Sequence, residues 1–238
     1  MRPSALLPLL ALAGAAFAHF PLLLPERPQG EVGRASALEL SYGHPFEGER
    51  GASPRPVTFR AHPPGGEPVD LLPGVQPTGE ERTRGWRASY TPAVRGDHLI
   101  EVEGPPGEHE GRTVRDFVKL VLHVPAVQAG WDRVLGRPLE LVPLTRPYGV
   151  PVGAAFRAVV TRAGNPLPGA LVEVERRNEA PPAELPPEPF VTRVEKADAQ
   201  GVFAVTLDAA GWWVLCARAD AEGKAEVHRA ALWVFVGR

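Results

Sequence analysis

Short runs rich in Val, Leu and Phe alternate with clusters of proline and glycine along nearly the whole chain. Ala37 to Tyr42, Val57 to Ala61, Arg87 to Tyr90, His98 to Val102 and Phe117 to Val124 have the length and composition of strands. Period two sends His98, Ile100 and Val102 to one face of their strand and Leu99, Glu101 and Glu103 to the other. Pro54, Pro56, Pro63-Pro64 and Pro105-Pro106, with neighbouring glycines, mark the turns between these runs. No stretch of ten residues keeps a helical period, so the first half is expected to be all-β.

A second, more regular set follows. Leu139 to Leu144, Ala155 to Thr161, Ala170 to Glu175, Val191 to Lys196, Val202 to Leu207, Trp212 to Ala217 and Val227 to Val236 are seven candidate strands. Seven short strands with regular turns in about 100 residues predict a β-sandwich. Leu171 to Glu175 alternates valine with glutamate, the pattern of a half-buried strand. Asn165 to Gly169 and Asp198 to Gly201 supply turns. Asn178 to Pro189 holds five prolines and reads as an exposed excursion. The boundary between halves falls between Pro125 and Pro138. The expected organisation is two β-sandwich domains, residues 19–130 and 131–238.

Residues 1–18 carry a different pattern. Arg2 precedes an uncharged apolar run, Ala5 to Phe17, and Ala16-Phe17-Ala18 offers small residues to a signal peptidase. The run is shorter than the roughly 20 residues a membrane span needs. Cleavage after Ala18 would export the chain, to the periplasm or beyond, and leave 220 of the 238 residues. A formal charge of −2, with no basic stripe, argues against a nucleic-acid partner. Cys216 is the single cysteine, so the exported fold depends on its core and not on an internal disulfide.

Several strings together resemble a known family: Ala18 to Pro25 (AHFPLLLP), Gly43 to Gly48 (GHPFEG), Gly136 to Val150, Gly164 to Glu175, Asp198 to Ala217 and His228 to Val236. They are similar to a domain-of-unknown-function family of exported bacterial proteins described as periplasmic components of nickel or cobalt uptake systems. The resemblance covers the whole mature chain. It implies a metal ion as ligand and a membrane permease, of the ABC type, as partner. The second half also looks like the transthyretin-like and carboxypeptidase-regulatory sandwiches, which implies fold alone.

Candidate chemistry centres on histidine. As the first mature residue, His19 would offer an α-amine and an imidazole, which can chelate one ion. Nitrogen donors favour Ni, Co, Cu and Zn. His44, stiffened by Pro45, is the second candidate ligand, and the resemblance sets its HPFEG string beside the leading histidine. Glu47 is a candidate carboxylate ligand or a partner that orients an imidazole. His98, in phase with Ile100 and Val102, is a further candidate ligand, and His123 a weaker one; either also reads as a hydrogen-bonded core residue. His62, His109 and His228 are expected at the surface. Cys216 reads as a small buried residue. Of Trp212 and Trp213, one is expected in the core and the other at the surface. Arg146-Pro147-Tyr148 reads as a corner between the halves. Ser36, Ser41, Ser53 and Ser89 sit in no nucleophile motif, and no HExxH or phosphate loop occurs. The leading expectation is a non-enzymatic nickel or cobalt protein. The alternatives are a copper enzyme with an N-terminal histidine chelate and a metal-free structural or adhesive sandwich.

Overall fold

The computed structural model describes residues 19–109, 111–221 and 225–237; the expected leader, residues 1–18, lies outside them. The main strands in chain order are β1 (Phe20–Pro25), β2 (Ser36–His44), β3 (Glu49–Gly51), β4 (Thr58–His62), β5 (Gly85–Tyr90), β6 (Gly96–Glu103), β7 (Arg112–Val124), β8 (Leu139–Pro143), β9 (Ala154–Arg162), β10 (Leu171–Arg176), β11 (Arg193–Lys196), β12 (Val202–Leu207), β13 (Gly211–Asp220) and β14 (Glu226–Gly237). Two- and three-residue strands extend the edges, and the helical pieces are single 3₁₀ turns. The architecture is all-β and multi-sheet, built like a β-sandwich.

The described residues form three sheets. A five-stranded sheet runs β1-β2-β5, with β3 on β2 and Gln76–Thr78 on β5. A four-stranded sheet sets β8 and β12 on β9, with Asn165–Pro166 at its edge. Between them lies a ten-stranded sheet ordered β11-β10-β13-β14-β7-β6-β4, which takes strands from both halves of the chain. The joint is a parallel pairing of β7 with β14, Thr113 against Glu226 through Leu120 against Trp233. The expected boundary near residue 130 thus falls on the connection between β7 and β8, while hydrogen bonding runs across from one half to the other.

Alternation makes the middle sheet a shared wall. In β13, Trp212, Val214 and Cys216 join Leu23, Leu38, Leu40, Phe59 and Ile100 in the first core. Trp213, Leu215 and Ala217 join Leu141, Phe156, Val160 and Phe203 in the second. β14 repeats this, Trp233 facing the first core and Leu232 and Val234 the second. Both tryptophans of the Trp212-Trp213 pair are therefore buried, at 8% and 4% exposure. The expectation of one surface tryptophan fails because the strand is covered on both faces. Cys216 is buried as expected, and burial pushes its thiol up to about 12.

The connection after β7 covers the second face of β6 and β7, which is polar. Lys119 Nζ donates to Glu140 Oε1 at 2.7 Å and to the carbonyl of Leu141 at 3.0 Å. Arg137 ion-pairs with Glu101, which also bonds His62 at 2.8 Å. Asp97 takes His123 Nδ1 at 2.6 Å and the Tyr148 hydroxyl at 2.9 Å, and the two rings stack with centroids 4.2 Å apart. Tyr148 is thus the corner between halves that its position suggested. His62, expected at the surface, is 7% exposed, because this connection closes over it.

Candidate metal centre

The first core ends in a polar rim. Along β2, Leu38, Leu40, Tyr42 and His44 share one face by alternation. The first two are core residues, and His44 stands one step beyond Tyr42, at the mouth of the sandwich. β1 pairs antiparallel with β2, Phe20 opposite Gly43. Carried one residue further, that register sets His19 opposite His44. On the other side β3 pairs His44 with Glu49. Directly opposed residues of neighbouring strands hold their side chains roughly 5 Å apart on one face. Three residues from three separate places in the sequence therefore stand on one rung.

The ligand atoms of His19, His44 and Glu49 all lie within 4.8 Å of one another. The two imidazoles meet edge to face with centroids 4.9 Å apart. Atoms bound to one ion at about 2.1 Å lie at most about 4.2 Å apart, so a small side-chain rotation closes the set. Two imidazoles and a carboxylate suit a borderline divalent ion better than Ca²⁺ or Mg²⁺, which prefer oxygen alone. Burial, then the neighbouring His44, lowers the pKa of His19, with Glu49 opposing and His109 and Arg229 adding to the fall. The shift favours the neutral imidazole, the form that binds metal.

Backbone geometry fixes the rung. Gly43 lies so close to β3 that a Cβ there would sit 1.9 Å from the carbonyl oxygen of Glu49. The turn after His44 closes with Gly48 N–H on the His44 carbonyl at 3.0 Å. β10 pins the same turn from the other half. Glu175, 1% exposed, accepts from Phe46 N–H at 2.7 Å and from Thr192 Oγ1 at 2.8 Å. Asn178 N–H bonds the Pro45 carbonyl at 3.0 Å.

Arg229 of β14 anchors the other end. It holds Asp116 through Nε at 2.6 Å and Nη2 at 2.9 Å, and Nη1 donates to the His19 carbonyl at 2.8 Å. Tyr42 donates its hydroxyl to the same carboxylate. Burial opposes the charge of Arg229, but Asp116 outweighs it and raises the guanidinium pKa. Trp233 Nε1 donates to the Pro21 carbonyl at 3.0 Å, fixing the next turn of the pleat.

The structure brings together His19 and His44 of the four sequence candidates. Glu47 lies off the rung and lines a separate cavity with His44, Glu173 and Glu175. His98 is remote and fully buried. Its Nε2 donates to the Val94 carbonyl at 2.9 Å, which leaves Nδ1 to accept from Tyr90 at 2.8 Å, so both nitrogens are used within the fold. His123 is likewise held by Asp97. Glu49 was missed. The only sequence signal for it was the five-residue offset from His44 across a Pro-Phe-Glu-Gly turn, and a hairpin register there needs the strand Glu49–Gly51, which is too short to read.

A family model described as "Domain of unknown function (DUF4198)" matches residues 16–221. No curated protein matches. Among solved structures, the ectodomain of mouse nectin-like molecule 4 is 12% identical, with 91% of this chain and 63% of that one covered and a TM-score of 0.26. A DUF4785 family protein from Legionella pneumophila is 10% identical, at 92% and 56% coverage and a TM-score of 0.34. The adhesin InvE of Yersinia pseudotuberculosis is 12% identical, at 90% and 58% coverage and a TM-score of 0.26. The chain spans less than two thirds of each of the three.

Proposed function

We propose that this chain, which belongs to the DUF4198 family, is an exported protein that binds a late divalent metal ion at the rung of His19, His44 and Glu49. The observation that carries the reading is the meeting of those three side chains, with ligand atoms within 4.8 Å. Cleavage after Ala18 would add the His19 α-amine, a fourth donor. A coordination set of three nitrogens and one oxygen is consistent with Ni and Co, and a role in their uptake alongside a membrane permease is the biological setting we propose. On this reading the protein carries the ion and performs no reaction on it. The second half, with β8, β9 and β12 packed on β10, β13 and β14, is read as the transthyretin-like sandwich, and its contribution is to hold the Pro45 turn and the His19 carbonyl in place.

A copper protein is the second reading. The feature that favours it is the nitrogen-rich set, since copper binds such donors most tightly in the first-row order. Calorimetry with Ni, Co, Cu and Zn on protein cleaved after Ala18 separates the two. Stoichiometric binding of Ni or Co that is lost in His44→Ala supports the first. Preference for Cu, with peroxide-dependent turnover, supports the second. No stoichiometric binding of any of the four overturns both.

A further inference from the structure

A cavity of about 240 Å³ opens beside His19, below the rung, between the ends of the two sheets of the first sandwich. His19, Tyr42, Gly107, His109, Asp116 and Arg229 are among its walls. It is smaller than the roughly 300 Å³ at which drug-sized pockets begin, and suits a metabolite of amino-acid size.

The walls have a definite polarity. Asp116 already accepts three hydrogen bonds, two from Arg229 and one from Tyr42. Glu108, a further lining residue, is engaged by Thr113 Oγ1 at 2.7 Å. Each of the two wall carboxylates thus already has a donor of its own. Arg229 has five N–H donors and directs three of them at Asp116 and the His19 carbonyl. Two remain, on a guanidinium whose charge Asp116 secures. A cavity that offers donors from a fixed cation selects an anionic group, and a planar carboxylate fits that fork best.

The metal site points to the same ligand. On the reading above the protein supplies four donors: the amine and imidazole of His19, the imidazole of His44 and one oxygen of Glu49. An octahedral ion then keeps two positions. The cavity lies against His19, where a ligand could fill them.

We propose that the site takes its metal together with a small chelating carboxylate, of the α-amino or α-hydroxy acid class, seated in this cavity with its carboxylate toward Arg229. This rests on the metal-binding reading above and names its co-ligand.

The test is native mass spectrometry of protein cleaved after Ala18, with Ni²⁺ and with L-alanine or L-malate as the probe. L-alaninamide, which lacks the carboxylate, is the control. The expected result is a 1:1:1 complex of protein, nickel and probe, at least tenfold less abundant with alaninamide. Gly107→Phe adds a ring at the cavity wall, at a position where an added Cβ meets nothing within 4 Å. It should abolish the ternary complex and leave the protein–nickel complex intact. Ala52→Phe, from another wall residue, should do the same. A protein–nickel complex that gains no probe, or a ternary complex that survives both substitutions, overturns the proposal. Absence of the protein–nickel complex itself would instead overturn the metal-binding reading.

Discussion

Arg229 and His19 are 210 residues apart, yet the guanidinium of one donates to the carbonyl of the other at 2.8 Å. β14 thereby fixes the residue that immediately precedes β1. Arg229→Ala should remove this anchor and leave Asp116 buried with only Tyr42 as partner. Loss of one member of a buried pair costs about 3–5 kcal/mol, to be measured by denaturant unfolding. Arg229→Lys should retain more stability but bind nickel more weakly than the parent, since an ammonium lacks the planar fork that grips Asp116 through two nitrogens while a third reaches the His19 carbonyl.

Processing should create part of the site. One extra residue before His19 turns its amine into an amide. That change should weaken nickel binding at least tenfold, about 1.4 kcal/mol, in calorimetry. His44→Ala and Glu49→Gln should also weaken it, whereas Glu47→Gln and His228→Ala should not. Equal affinity of extended and processed protein would remove the amine from the ligand set.

Gly43→Ala tests the rung directly. The new Cβ would collide with the Glu49 carbonyl, so β3 must move away from β2. Overpacking of this kind costs about 1–3 kcal/mol. Nickel affinity should fall although no ligand is changed, and a Gly43→Ala protein of parental affinity would show that the β2–β3 register is not needed.

His98 should give the fold an acid limit. Burial lowers its pKa below the ordinary 6.5, so below that pH the unfolded chain takes up a proton that the folded one resists. The contribution is complete above the unfolded pKa and is lost as pH falls toward the folded one. A single such proton changes stability by at most about 1.4 kcal/mol per pH unit. His98→Gln keeps an acceptor for Tyr90 and a donor for Val94. It should flatten the dependence of stability on pH between 7 and 5 without changing metal stoichiometry.

A fragment from Gly136 to Arg238 retains the second core but uncovers Trp212, Val214, Cys216 and Trp233 on the opposite face of β13 and β14. It should aggregate or fail to unfold cooperatively. A stable monomeric fragment would show that the shared sheet is dispensable to the second sandwich.

The strands of both halves were legible because period two and Pro-Gly punctuation are local. Val202 to Leu207 was read to the residue. β1 was not foreseen, since Phe20 to Pro25 is an unbroken apolar stretch framed by prolines, with no alternation to betray a strand. The parallel joining of β7 to β14 is a contact between distant segments that no local pattern encodes. It also explains why neither tryptophan of the Trp212-Trp213 pair is at the surface, whereas Glu101 and His62 are buried by the connection after β7. His19 and His44 could be picked out by chemistry. Glu49 is not legible as a ligand, because the sequence shows adjacency, which points to Glu47, but not register.

β14 is the last strand of the described residues and also an interior one, flanked by β13 and β7. During synthesis the first sandwich therefore lacks a wall until the carboxy-terminal segment has emerged, and Arg229 reaches His19 only then. Any product that stops short of β14 has His44 and Glu49 but an unanchored amino terminus and an open core. A chain of this topology closes as one unit and not domain by domain, because the strand of residues 226–237 completes a sheet that both cores share.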